Sequence, residues 1–172
     1  SNLRHPDVRV RRAAGAAFAL HGTPEVSAWV HGEAEVADGG LLASLLAIAA
    51  RLGQAPRAVR PGLESADPGV AEAAARTAAY ADPAVVRGPL EALLVHPALA
   101  VRCAALPSAL RHRTPGAWAA LEREALDRMT PTAMILLAAL GGPGHHDALV
   151  SLLGGPHRPA ARGRRRRRGD GL

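Results

Sequence analysis

Apolar residues along this chain recur at the three- and four-residue spacing of helix faces, and proline-containing turns interrupt the pattern at regular intervals. After Pro83, the residues Val85, Val86, Leu90, Leu93 and Leu94 fall on one helical face. After Pro115 the same holds for Trp118, Leu121, Ala125 and Met129, at spacings of 3, 4 and 4. Glu124 and Arg128 then form a favourable i,i+4 pair, expected on the outward side of that helix. The least regular stretch is "VSAWVHGEAEVADGG" over 26–40, where Gly32, Gly39 and Gly40 interrupt a helical pattern.

The segments repeat. "HPDVRVRRAAGAAFALHG" (5–22), "ADPGVAEAAARTAAYAD" (66–82) and "HPALAVRCAALPSALRH" (96–112) each place a Pro turn, a Val and then an alanine-rich helix. Aligned on Val10, Val70 and Val101, with Leu41 filling the double gap, the steps are 31, 29 and 31 residues. A fifth start near Thr130 continues the series. A second register, at Pro24, Pro56, Pro83, Pro115 and Pro143, opens another amphipathic segment after each of these helices. Proline suits the first helical turn because the N–H it lacks would be unpaired there. The expected unit is helix–turn–helix, with turns short enough to set successive helices side by side. Pro107 falls inside its helix and is expected to kink it.

This unit resembles HEAT-like repeats, in particular the short bacterial kind of the phycobilisome-lyase type, whose helix reads "VRRAAAxAL". "VRRAAGAAF" at 10–18 matches it closely, "VRCAALPSA" at 101–109 fairly, and "VAEAAARTA" at 70–78 without the arginine. The resemblance spans most of 3–156. It implies a right-handed α-α superhelix of about five helix pairs, the second helix of each pair lining the concave side. It also implies that Asp7 and Arg11 tie turn to helix, and that His5 and His96 are equivalent turn residues. It implies no particular activity, because such arrays serve scaffolds, lyase-like assembly factors and regulators alike.

Composition agrees with helices. The chain is 48% hydrophobic, alanine leads, and there are one Phe, one Tyr and two Trp. A core so poor in aromatics and β-branched residues suits closely approaching helices better than sheets. Trp29 and Trp118, each a few residues after a repeat proline, are expected to pack between helix pairs. The net charge of +6 sits in the tail: removing the seven arginines and one aspartate of 157–172 from the chain's 21 and 15 leaves 14 of each. A folded nucleic-acid-binding surface normally carries its own basic footprint, and the neutral body of 3–156 gives none. Arginine without lysine beside abundant Ala and Gly is the signature of a GC-rich coding sequence, in which an arginine run is readily encoded. The run, with the "RGD" of 168–170, is expected to be a solvated, degenerate tail rather than a further compact helix over 160–168. That leaves the last apolar segment, 148–153, without its cover. The opening Ser1-Asn2, without Met, reads as a cleavage scar ahead of a fragment of a larger protein.

Candidate chemistry is sparse. His145 and His146 are adjacent and point about 100° apart, unlike the i,i+4 pair of a zinc helix, so they read as helix-start residues. Cys103, the only cysteine, takes an alanine-like position and reads as a small packed side chain, although Arg102 beside it could lower a thiol pKa. "LGGPG" at 140–144 lacks the Lys-Ser/Thr of a phosphate loop. No catalytic constellation, metal site or cofactor is expected. No apolar run spans a membrane, and a cytoplasmic location is the expectation.

The expected function is therefore a non-catalytic protein-binding module or scaffold taking another protein or peptide. Its face would be built from outward positions of the concave-side second helices, such as Arg12, Glu72 and Arg76. The alternative is nucleic-acid binding, with Arg164, Arg165, Arg166, Arg167 and Arg168 on phosphates. A lyase-like assembly factor is a weaker alternative, resting on the resemblance alone.

Overall fold

The computed structural model describes residues 3 and 5–154, with the side chains of Val8 and Arg12 outside that description. All regular elements among the described residues are helical, as the composition implies. They are α1 (Val8–Leu20), α2 (Pro24–Val36), α3 (Gly39–Arg51), α4 (Val59–Leu63), α5 (Pro68–Thr77), α6 (Pro83–Leu93), α7 (Leu99–Arg111), α8 (Ala117–Glu122), α9 (Pro131–Leu140) and α10 (Pro143–Gly154). A 3-10 turn over Ala78–Tyr80 prolongs α5, and a π-turn over Arg123–Asp127 prolongs α8. The expectations for 157–172, including the absence of a helix over 160–168, lie outside the described residues, as do those for residues 1–2.

Short polar side chains and prolines set where the helices begin. The carboxylates of Asp7, Asp67 and Asp82 accept from the amides of Arg9, Gly69 and Ala84 at 2.7, 2.7 and 2.9 Å. Each satisfies one of the N–H groups that a helix start leaves open. Proline occupies the first turn of α2, α5, α6 and α9. Val10, Leu41, Val70 and Val101 are each the third residue of α1, α3, α5 and α7. Thr130 caps α9 from outside, and the third residue there is Ala133. In the irregular stretch, α2 runs through Gly32, while Gly39 and Gly40 fall in the first turn of α3.

The odd-numbered helices pack in series, α1 on α3, α3 on α5, α5 on α7 and α7 on α9. The even-numbered ones pack beside them: α2 on α3, α4 on α5, α6 on α7, and both α8 and α10 on α9. Alanine makes this close contact possible, with Ala71, Ala74, Ala75, Ala105 and Ala109 fully buried. At Gly62 in α4 a Cβ would lie only 2.9 Å from the Cβ of Ala74, so α4 reaches α5 at a distance that only glycine allows. Two buried hydroxyls tie the series together. Thr77 Oγ1 shares its proton between the carbonyls of Ala73 (2.7 Å) and Leu46 (2.9 Å), the latter in α3. One pair further on, Ser108 donates to the Ala75 carbonyl of α5 at 2.6 Å.

Several expectations change. The segment after Pro56 contributes only the five residues of α4, Pro61 and Gly62 among them, before the turn that leads to Pro68. Pro107 does lie inside α7, as expected, with its ring exposed and the helix continuing to Arg111. The π-turn adds one residue to the helical register after α8, closed by Arg128 N donating to the Arg123 carbonyl at 3.1 Å. Glu124 lies in the interior, 2% exposed, instead of on the outward side, because it shares a helical face with the buried Ala117, Ala120 and Leu121. Met129 lies past the end of the helix, at φ 51°. Trp29 and Trp118 remain 37% and 39% exposed rather than filling gaps between pairs. Trp29 stacks on Phe18 with centroids 5.2 Å apart. At the end of the described chain, Val150 and Leu153 are 69% and 71% exposed.

Candidate partner-binding groove

The turns that start α1 and α7 are built alike. In the first, Asp7 N donates to His5 Nδ1 at 3.1 Å, and Arg11 Nη1 donates to the carbonyls of His5 and Pro6, both at 2.7 Å. In the second, Ala98 N donates to His96 Nδ1 at 3.1 Å, and Arg102 Nη1 reaches the carbonyls of His96 and Pro97 at 2.8 and 2.9 Å. Each arginine thus binds carbonyls that the turn leaves without partners, and each histidine closes its own turn as an acceptor. These four residues organise backbone.

Arg102 makes one more contact. Its Nε donates to Glu124 Oε1 at 2.7 Å, where Arg128 also donates, and Thr130 Oγ1 donates to Oε2 at 3.1 Å. Thr130 N returns to the Glu124 carbonyl at 2.8 Å, so the π-turn and the start of α9 are fastened to one side chain. Burial pushes the Glu124 carboxyl up, but the hydrogen bonds from Arg102 and Thr130 and the arginine charges outweigh it and hold the group below its ordinary value. The same surroundings act oppositely on half-buried Cys103. Desolvation first, then the charges of Glu124 and Glu72, push its thiol up against the pull of Arg102. A thiol held protonated is a poor nucleophile.

His145 and His146 start α10, and their ring nitrogens are engaged within the fold. Gly142 N donates to His145 Nδ1 at 3.2 Å, which leaves Nε2 to donate to Glu122 Oε1 at 2.9 Å. Trp118 Nε1 donates to the same oxygen at 2.9 Å, and these two bonds hold Glu122 below the usual carboxylate range. His146 Nε2 lies 2.6 Å from the Ala138 carbonyl. Among the described residues no group of three His, Cys, Asp or Glu is arranged to hold a metal ion.

A groove of about 980 Å³ runs across α1, α3, α5 and α7. Methyl-sized side chains dominate its floor, among them Gly15, Ala16, Ala43, Ala47, Ala73 and Ala104, with Ile48 and Pro107 between them. Arg51, Asp67, Glu72, Arg76 and Tyr80 supply its polar and aromatic borders. The groove is therefore lined by the first helix of each pair, not by the second. Glu72 and Arg76 lie on α5 and form an i,i+4 ion pair, and Arg12 lies on α1 with its side chain outside the described residues. Arg164, Arg165, Arg166, Arg167 and Arg168 also lie outside them. Arg51 and Tyr80 had a signal in the sequence that went unread, since each follows the aligned Leu41 or Val70 by ten residues.

No helix of the described residues is long and apolar enough to cross a membrane. Comparison with protein-family models, with curated proteins and with solved structures gave no match.

Proposed function

We propose that the chain is a HEAT-like array, five helix pairs wound into a right-handed superhelix, that acts as a non-catalytic module binding another polypeptide. The observation that carries this reading is the groove across α1, α3, α5 and α7, whose mostly methyl-sized floor lets a foreign backbone or helix approach closely. The serial packing of the odd-numbered helices and the twice-built His-Pro turn support the array. His5, His96, His145 and His146 are hydrogen-bonded within the fold and Cys103 is half-buried, so the reading rests on surface, which arrays of this kind present to partners.

Affinity capture with the 172-residue chain and an Ala47→Trp variant tests it. Ala47 is exposed on the groove floor, and an indole there fills the groove without disturbing the core. A protein retained by the first and lost by the second is the expected result; equal retention defeats the reading. A second reading, phosphate binding by Arg164–Arg168, is favoured by the arginine run alone. Anisotropy with duplex DNA and RNA, comparing the whole chain with residues 1–156, decides it: salt-sensitive binding that persists in 1–156 would place a nucleic-acid site on the helices.

A further inference from the structure

We propose that the groove takes an acidic polypeptide segment laid across the helices and held along one margin by Arg51, Tyr80 and Arg111. This rests on the protein-binding reading above and names the chemistry of its partner. The three residues share one register. Each stands ten positions after the third residue of its helix, Leu41, Val70 or Val101; Arg51 and Tyr80 line the groove, and Arg111 joins the row through its contact with the Tyr80 ring. Tyr80 is the centre of the row. Its ring lies 5.7 Å from the Arg111 guanidinium carbon, a cation–π distance. On its other side stands Gly53, at φ 69°, where even a Cβ would come within 3.7 Å of the ring. Tyr80 is nevertheless exposed, as are Arg51 and Arg111.

Charge decides what the row would bind. Among the described residues the arginines that meet carboxylates are Arg60 with Glu64, Arg76 with Glu72, and Arg102 and Arg128 with Glu124. Arg51 and Arg111 meet none. The groove's own acids are committed, Glu72 to Arg76 and Asp67 to the amide of Gly69. The charge left over along this margin is positive, and two guanidinium forks beside an aromatic face suit carboxylates. A continuous polyanion such as nucleic acid fits less well, because its phosphates would also run past Asp67 and Glu72. A peptide can set carboxylates on the arginine margin and neutral residues over the alanine floor. Two interhelix steps separate Arg51 from Arg111, roughly 16–20 Å, the length of about 5–6 residues of extended chain.

Random 16-residue peptides displayed on phage and selected on the whole chain, with the enriched peptides measured by fluorescence anisotropy, test the proposal. Enriched sequences are expected to be acidic. Arg51→Glu with Arg111→Glu should weaken them at least tenfold, Arg51→Gln with Arg111→Gln less, and exchanging the peptide's acids for lysine should restore binding to the charge-reversed protein. Circular dichroism should show these variants folded, with a melting temperature lowered only slightly by loss of the Arg111–Tyr80 contact and of two cations at helix C-termini. Binding should survive replacement of Arg164–Arg168 by serine, and its loss there would overturn the proposal. Peptides without acidic bias, indifferent to both arginine variants yet lost in Ala47→Trp, would overturn it while sparing the protein-binding reading. Failure to select any peptide, together with no effect of Ala47→Trp in affinity capture, would overturn both. Displacement of the peptide by a single-stranded RNA oligonucleotide whose own binding needs Arg51 and Arg111 would assign the row to nucleic acid instead.

Discussion

The turn over residues 5–11 and the turn over 96–102 have nearly the same backbone and the same histidine and arginine bonds, yet they are not equally anchored. Arg102 extends its Nε to Glu124, 22 residues on and 3% exposed at its side chain. Arg11 has a buried Nε with no partner among the described residues. An acid stands 22 residues beyond it too, Glu33, which lines the same cavity of about 590 Å³ beside α1. What differs is the helix that presents the acid. Glu33 lies half-buried on α2, whereas Glu124 is buried and also accepts from Thr130 at the start of α9. Local sequence builds the turn; at 96–102 a buried acid on the following helix also ties it to the start of α9.

Glu124→Ala should have the largest effect. It strips three donors of their acceptor and leaves Arg102 largely buried without a counter-charge, a loss on the order of 3–5 kcal/mol, read as a lowered denaturation midpoint with unchanged slope. Arg102→Ala comes next, since Arg128 and Thr130 still serve Glu124. Arg11→Ala should cost less than Arg102→Ala, about 1–2 kcal/mol, because it removes bonds to carbonyls and at the same time relieves an unpaired buried N–H. Equal losses for the two arginines would mean that the carbonyl bonds, not Glu124, carry the fourth pair.

Acid should separate the two regions as well. The folded Glu124 carboxyl titrates below its unfolded value, so the stability it adds is fully present above about pH 4.3, the ordinary glutamate value. It is lost as pH falls through the lower folded value. Thermal unfolding followed downward from pH 6 should therefore fall more steeply for the natural chain than for Glu124→Gln. Parallel curves would show that Glu124 is not charged in the fold.

Much of this was legible in the sequence, and the parts that were not share a cause. Helix starts follow from residues within one turn of each other: Asp7 and Asp67 as caps, prolines at first-turn positions, and Arg11 reaching back to His5. Even the equivalence of His5 and His96 could be read, because both bond within their own turn. Glu124 could not. Its i,i+4 spacing to Arg128 suggested an outward pair, whereas the bonds that hold it inside come from Thr130 and Arg102, six and 22 residues away. The exposure of Trp118 follows from a tertiary arrangement in the same way, its indole being drawn to Glu122 and His145. Which helices line the groove was not legible either, although Glu72 and Arg76 do line it. Periodicity shows that a helix has an apolar face but not which neighbour covers it; only the packing of α1, α3, α5 and α7 in series reveals what they leave open.

The smallest expected effect isolates the last difference between the two turns. Position 7 is an aspartate whose carboxylate caps α1, and the matching position of α7 is Ala98, which offers its helix nothing. Their backbones barely differ, φ −73° and ψ 121° against φ −75° and ψ 123°, so an aspartate side chain at 98 needs no rearrangement to reach the amide of Ala100. Ala98→Asp should therefore stabilise the chain by about 0.5–1 kcal/mol, and Asp7→Ala should destabilise it by a similar amount. The gain at 98 should shrink below the carboxylate's pKa, where the cap loses its charge. If Ala98→Asp gains nothing while Asp7→Ala loses its share, then the two turns are alike in shape but not in solvation. The half-buried setting of Ala98 beside the core would then set the limit on what a cap can add.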